Sequence, residues 1–197
     1  GDLSFGEISR FRDDRVDSEE VEIEQECFRL LALEQPFARD FRVVTFILKV
    51  NADIERVADH ATSIAKLSVR IAKMLAHAEN GTLPIVPAER IPAWPTALTE
   101  LGQRVPMMCH QLLRAVIDEN PDHARALVRS DEVIDQLDRR LFEEVREVMK
   151  RQGNTDESVA VGMLIYRIGR ELERVGDLMT NIAEDVVYLA TGSIVRH

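Results

Sequence analysis

Two stretches decide the reading of this chain: Asn51–Lys66, NADIERVADHATSIAK, and Gly169–Glu184, GRELERVGDLMTNIAE. Laid over one another at an offset of 118 residues, seven of their sixteen positions are identical. The same offset holds one helix earlier, where Asp13–Asp17 (DDRVD) lies over Asp131–Asp135 (DEVID). The apolar stripe Val16, Ile23, Cys27 and Leu30 falls on Ile134, Leu141, Val145 and Val148. Two helices and the turn between them thus keep one length in both copies, the signature of an internal duplication.

Working outward, apolar residues recur at three and four over Phe5–Leu33 and Phe37–Ala78, and strand alternation is absent. Residues 79–95 break the rhythm with Asn80-Gly81 and Pro84, Pro87, Pro92 and Pro95, which reads as a linker. Helical patterning resumes at Thr96, read as an N-cap, and runs to Asn120, where Asn120-Pro121 forces a turn. A long helix over Pro121–Arg151 follows, ended by Gly153, and a last one over Asp156–Thr191, stopped by Gly192. The expected architecture is all-α: a tandem repeat of two three-helix bundles. Residues 1–78 form a first repeat, 79–95 the linker, 96–192 a second repeat and 193–197 a tail. Shifted back by 118, the helix after Thr96 has no counterpart in this sequence. The repeat therefore predicts a further helix of roughly 25 residues ahead of Gly1, absent from this chain.

Each copy sets acids four apart on both of its long helices: Asp13 and Asp17 with Glu55 and Asp59, then Asp131 and Asp135 with Glu173 and Asp177. Residues at i and i+4 share a helix face, and like charges there are mildly unfavourable. Counted from a turn near Gln35, Asp17 and Glu55 stand at nearly equal distance, as do Asp135 and Glu173 about Gly153. At about 1.5 Å rise per residue, each cross-helix pair differs in height by roughly 3 Å. Val16 and Val57 lie between the acids of their pairs, so the carboxylates are expected to face the groove between helices. Four carboxylates at one height repel unless protonated or bound to cations. An all-oxygen donor set favours Mg, Ca, Mn or Fe and admits zinc. Asn181 can add an amide oxygen in the second copy, where the first has Ser63; Asp53 and Glu171 form a further matched acidic pair. The competing reading is a solvated acidic face, since Asp13–Glu26 holds eight acids and one Arg. His60, beside Asp59, is a weaker ligand candidate.

Composition excludes several classes. The 197 residues carry a formal charge of −10, which argues against sequence-independent nucleic-acid binding. Cys27 and Cys109 have no metal-finger spacing and fit a reducing, cytoplasmic setting. No apolar run reaches membrane-spanning length, so membrane contact is expected only through a partner. Trp94 reads as a packing anchor and Pro106 as a bend. No phosphate-cradling glycine loop, nucleophile elbow or anion site is visible.

These motifs carry a resemblance. ADIERVADHATSIA and RELERVGDLMTNIAE, with the preceding DxxxD and the segment PFARDFRVVTFILKV, resemble the signature of the PhoU family over nearly the whole chain. The resemblance implies a non-enzymatic cytoplasmic regulator of phosphate uptake that restrains phosphate-starvation signalling. Its partners would be the ATPase of a phosphate ABC transporter and a PhoR-type sensor histidine kinase, with homodimers common. It implies iron or zinc at Asp13, Asp17, Glu55, Asp59, Asp131, Asp135, Glu173 and Asp177. Ser63 departs from the motif, which usually has Asn there. Two other functions compete: a structural helical adaptor without metal, and a carboxylate-bridged di-metal enzyme. The enzyme is disfavoured because neither cluster contains the Glu-x-x-His pair of such sites.

Overall fold

The computed structural model describes the backbone of residues 4–79, 94–151, 153 and 155–192, and the side chains of 14–74, 94–151, 153, 155–156 and 158–192. Among the described residues the fold has five helices: α1 (Ser4–Glu34), α2 (Ala38–Glu79), α3 (Thr96–Ile117), α4 (Pro121–Arg151) and α5 (Asp156–Thr191). Most of the expected Pro-rich linker and the tail 193–197 lie outside the described residues.

Local chemistry sets the helix ends. Between α1 and α2 the chain reverses with Gln35 at φ 45 and Ala38 at φ 46. Asn120 Oδ1 accepts the amides of Asp122 and His123 (3.0 and 3.1 Å), satisfying two orphan donors at the start of α4. Gly153 and Gly192 take φ 80 and 71, the left-handed conformation that glycine adopts without a Cβ penalty. Thr155 caps α5 by accepting from the Ser158 amide at 3.2 Å.

Two expectations are corrected. Thr96 is the first residue of α3 rather than its cap. The capping carboxylate belongs to Glu144 of α4, which accepts from Thr96 Oγ1 (2.8 Å) and the Ala97 amide (3.0 Å). A carboxylate at a helix N-terminus gains both hydrogen bonds and a favourable dipole, which makes it the stronger cap. Trp94 remains 48% exposed and anchors little.

Helices α3, α4 and α5 pack pairwise into a three-helix bundle around Leu101, Val105, Ile134, Leu141 and Ile182. In the first unit, among the described residues, α1 packs on α2 alone, and α2 packs on α5. The matched helices α2 and α5 therefore join the two repeats. Matched residues show what α3 contributes. Leu141 and Ile165 of the second unit are 0% and 2% exposed, whereas their counterparts Ile23 and Ile47 are 41% and 38% exposed. No described helix covers that face of α1 and α2.

Closeness between α4 and α5 comes from Gly162, Gly169 and Gly176, spaced by seven along one face of α5. A Cβ at Gly162 would run into the Met149 side chain and one at Gly169 into Leu141; at Gly176 it would come within 3.1 Å of Ile134 Cγ2. The first unit has Val44, Asn51 and Ala58 at these positions. Buried Asn51 instead donates from Nδ2 to the Glu20 carbonyl on α1 at 2.8 Å.

The asymmetry of burial predicts an asymmetry of cost. Leu141→Ala should destabilise this chain by about 2–5 kcal/mol in denaturant unfolding, as for core leucines generally. Ile23→Ala, its repeat counterpart, should cost less than about 1 kcal/mol. Equal costs would show that the first unit is covered as fully as the second.

Candidate metal centre

The site is built at the glycine contact. Ile134, 1% exposed, packs on Gly176, and the acids on either side of both residues are carried toward one another. One carboxylate oxygen each from Asp135, Glu173 and Asp177 lies within 4.8 Å of the others. Asp135 is half-buried, Glu173 buried and Asp177 exposed, so the cluster opens to solvent at one end. Asp131 is adjacent, its Oδ1 accepting from Thr180 Oγ1 at 3.0 Å. Asn181 is exposed.

Electrostatics show a carboxylate group short of positive charge. Burial first, then Asp177, pushes the Glu173 carboxyl above its ordinary range, with Arg170 opposing. Burial, then Asp131 and Asp135, pushes Asp177 up likewise, against Arg170 and Arg174. Arg170 Nη1 sits 2.9 Å from Asp138 Oδ2 and 3.0 Å from Glu173 Oε1, yet Glu173 Oε2 and Asp138 Oδ1 are buried without any hydrogen-bond partner. An unpaired buried carboxylate oxygen costs about 1–3 kcal/mol or more, which a hard cation would recover. The donor set fits such a cation.

The first unit does not reproduce this geometry among the described residues. The Asp13 side chain lies outside them. Asp17 and Asp59 are exposed and Glu55 half-buried. Burial, then Asp59, Asp17 and Glu20, raises the Glu55 carboxyl, so these acids share a neighbourhood without bringing three ligand oxygens within 4.8 Å. Ala52 stands where the second unit has Arg170.

Several candidates face elsewhere. Glu171, matched to Asp53 in the repeat, turns to the α2–α5 interface, where His60 Nδ1 donates to its Oε2 (2.7 Å) and Ser63 Oγ to its Oε1 (3.1 Å). His60 and Ser63 are thereby engaged with Glu171. Asp53 lies 3.7 Å from Arg56, and on the same interface Lys49 reaches Asp185 at 2.9 Å. Sequence reading missed Arg170, Asp138 and Thr180. Only the spacing of Asp138, three beyond Asp135 on the same face, offered a signal.

Comparison with known proteins gives concordant results. The sequence profile of the PhoU domain matches residues 6–68 and 98–186, one stretch in each repeat. The chain is 33% identical over 190 residues to a phosphate-specific transport system accessory protein PhoU homolog of Deinococcus radiodurans, covering 96% of this chain and 80% of that protein. Its fold is similar to the crystal structure of PhoU from Pseudomonas aeruginosa, with TM-score 0.81, 28% identity and 95% and 82% of the two chains covered. The phosphate transport system regulatory protein PhoU of Streptococcus pneumoniae aligns at TM-score 0.78 and 29% identity, over 98% and 82%.

Glu173 and Asp177 bind protons more tightly folded than unfolded. From the ordinary carboxylate range up to their raised values, the folded chain holds more protons, so their contribution to stability falls as pH rises. In metal-free protein, Glu173→Gln should therefore gain in melting temperature relative to wild type as pH climbs through that window. Parallel melting curves at every pH would contradict the crowding of Asp135, Asp138, Glu173 and Asp177 around Arg170.

Proposed function

Because the chain belongs to the PhoU family, we propose that it is a non-catalytic accessory protein of phosphate-specific transport whose second repeat holds a metal ion. The observation that carries the metal reading is the convergence of Asp135, Glu173 and Asp177, together with a buried Glu173 Oε2 that has no hydrogen-bond partner. Asp131 and Asn181 complete the ligand set on the solvent side. Asp13, Asp17, Glu55 and Asp59 form a weaker site in the first repeat. Iron or zinc is the resident metal by family resemblance, and the oxygen donors also accept manganese, magnesium or calcium. Bound metal supplies positive charge between α4 and α5. Asp135 presents its oxygen from α4 and Glu173 and Asp177 from α5, while Arg170 keeps Asp138 and the second Glu173 oxygen in place.

The wider role is that of an adaptor. It docks on the ATPase of a phosphate ABC transporter and on a PhoR-type sensor histidine kinase, and restrains starvation signalling from the cytoplasm, as a homodimer. Support for the transport role comes from relatives named as accessory proteins of phosphate-specific transport; among the described residues no helix is long and apolar enough to cross a membrane. A metal-free adaptor is the second reading, favoured by one observation: Arg170 already neutralises part of the cluster.

Elemental analysis of protein purified without an affinity-metal column tests the proposal. Wild type should hold stoichiometric metal, Asp135→Asn/Glu173→Gln should lose about one ion per chain, and Glu55→Gln/Asp59→Asn should lose less. A metal-free wild type that still captures the transporter ATPase would establish the second reading.

A further inference from the structure

Arginines gather where the two repeats meet. Arg70 of α2 and Arg167, Arg170 and Arg174 of α5 line a cleft of about 610 Å³, with Leu164 in its wall and Glu171 as its one carboxylate. On α5 the three stand at i, i+3 and i+7, one helix face. In a chain of net charge −10, such a concentration of guanidinium groups is a local reversal of sign.

Most of their donor capacity is unspent. Arg170 is committed to Asp138 and Glu173. Arg167 and Arg174 stand 3.9 and 4.0 Å from Glu171, beyond hydrogen-bond distance, because His60 and Ser63 already serve that carboxylate. Both side chains are more than half exposed, 62% and 56%. Arg70 makes no ion pair among the described residues. Three guanidinium forks thus face one cleft, each carrying five N–H donors in a planar array suited to bidentate contact with oxyanions. A lone carboxylate offers two oxygens and one charge, too little for three forks. A phosphate group offers three or four oxygens and nearly two charges, and matches them.

We propose that this cleft binds a phosphate group, free or as an ester, held by Arg70, Arg167 and Arg174 between the two repeats. The ligand would tie α2 to α5 through Arg70, adding to the link that His60 and Glu171 already make. The inference goes beyond the accessory role and does not rest on it, since it uses neither metal nor partner.

Calorimetric titration of the chelated, metal-free chain with inorganic phosphate and with glycerol phosphate, at constant ionic strength, tests it. One saturable site per chain is expected. Affinity should fall about tenfold or more in Arg167→Gln/Arg174→Gln, the loss expected for charge-assisted hydrogen bonds, and measurably in Arg70→Gln. These exposed substitutions should leave the circular-dichroism melt unchanged, which separates lost binding from lost fold. Tighter glycerol phosphate would assign the ester as ligand, and tighter inorganic phosphate the free anion. No saturable binding of either would overturn the proposal, as would binding unaffected by Arg167→Gln/Arg174→Gln. Binding abolished by Asp135→Asn/Asp177→Asn would also overturn it, because the phosphate would then be held by residual metal. Only the last of these outcomes touches the metal cluster, and none bears on capture of the transporter ATPase.

Discussion

The close approach of α4 to α5 is the constraint on which the rest of the second repeat depends. Gly162, Gly169 and Gly176 leave room for Met149, Leu141 and Ile134 to lie against the backbone of α5. A side chain at any of them would force that neighbour to move, and cores tolerate such overpacking at a cost of about 1–3 kcal/mol. The gain is not only dispersion energy. Because Ile134 is flanked by Asp131 and Asp135, seating it on Gly176 pulls those acids toward Glu173 and Asp177. Packing thereby overrides the repulsion that would otherwise splay four carboxylates apart.

The repeats are alike in pattern and unlike in mechanics. Val44, Asn51 and Ala58 occupy the glycine positions in the first unit, and Asn51 fixes α2 to α1 through a side chain-to-backbone hydrogen bond. Ala52 replaces Arg170, so the acids there lack that arginine between the helices, and Asp17 and Glu55 remain more exposed than their counterparts Asp135 and Glu173. One ancestral arrangement has diverged into a converged cluster and a looser, more exposed one. Between them, α2 and α5 carry a polar seam of Lys49, Asp185, His60, Ser63 and Glu171, which gives the contact between repeats a specific register.

Much of this was legible in the sequence. The bounds of α4 and α5 follow from Asn120-Pro121, Gly153 and Gly192, and the matched acids follow from the offset of 118. What stayed hidden depends on tertiary contacts. Glu144 displaces Thr96 as the cap of α3 from a distant helix. Glu171 looks interchangeable with the ligands in sequence, yet its neighbours on α2 draw it to the interface. Arg170 and Asp138 read as ordinary surface charges until helix packing half-buries them together. The arginine cleft was missed because Arg70 belongs to the other repeat, and only the docking of α2 on α5 brings it near Arg167 and Arg174.

A crystal structure of the metal-loaded protein, with anomalous scattering collected at the metal edge, tests the central claim most directly. The account predicts a strong anomalous peak within coordination distance, about 2.0–2.6 Å, of oxygens from Asp135, Glu173 and Asp177. It also predicts that any peak near Glu55 and Asp59 has lower occupancy. A fully loaded crystal with no peak between α4 and α5 would contradict it, and would make the acidic face a docking surface rather than a metal centre.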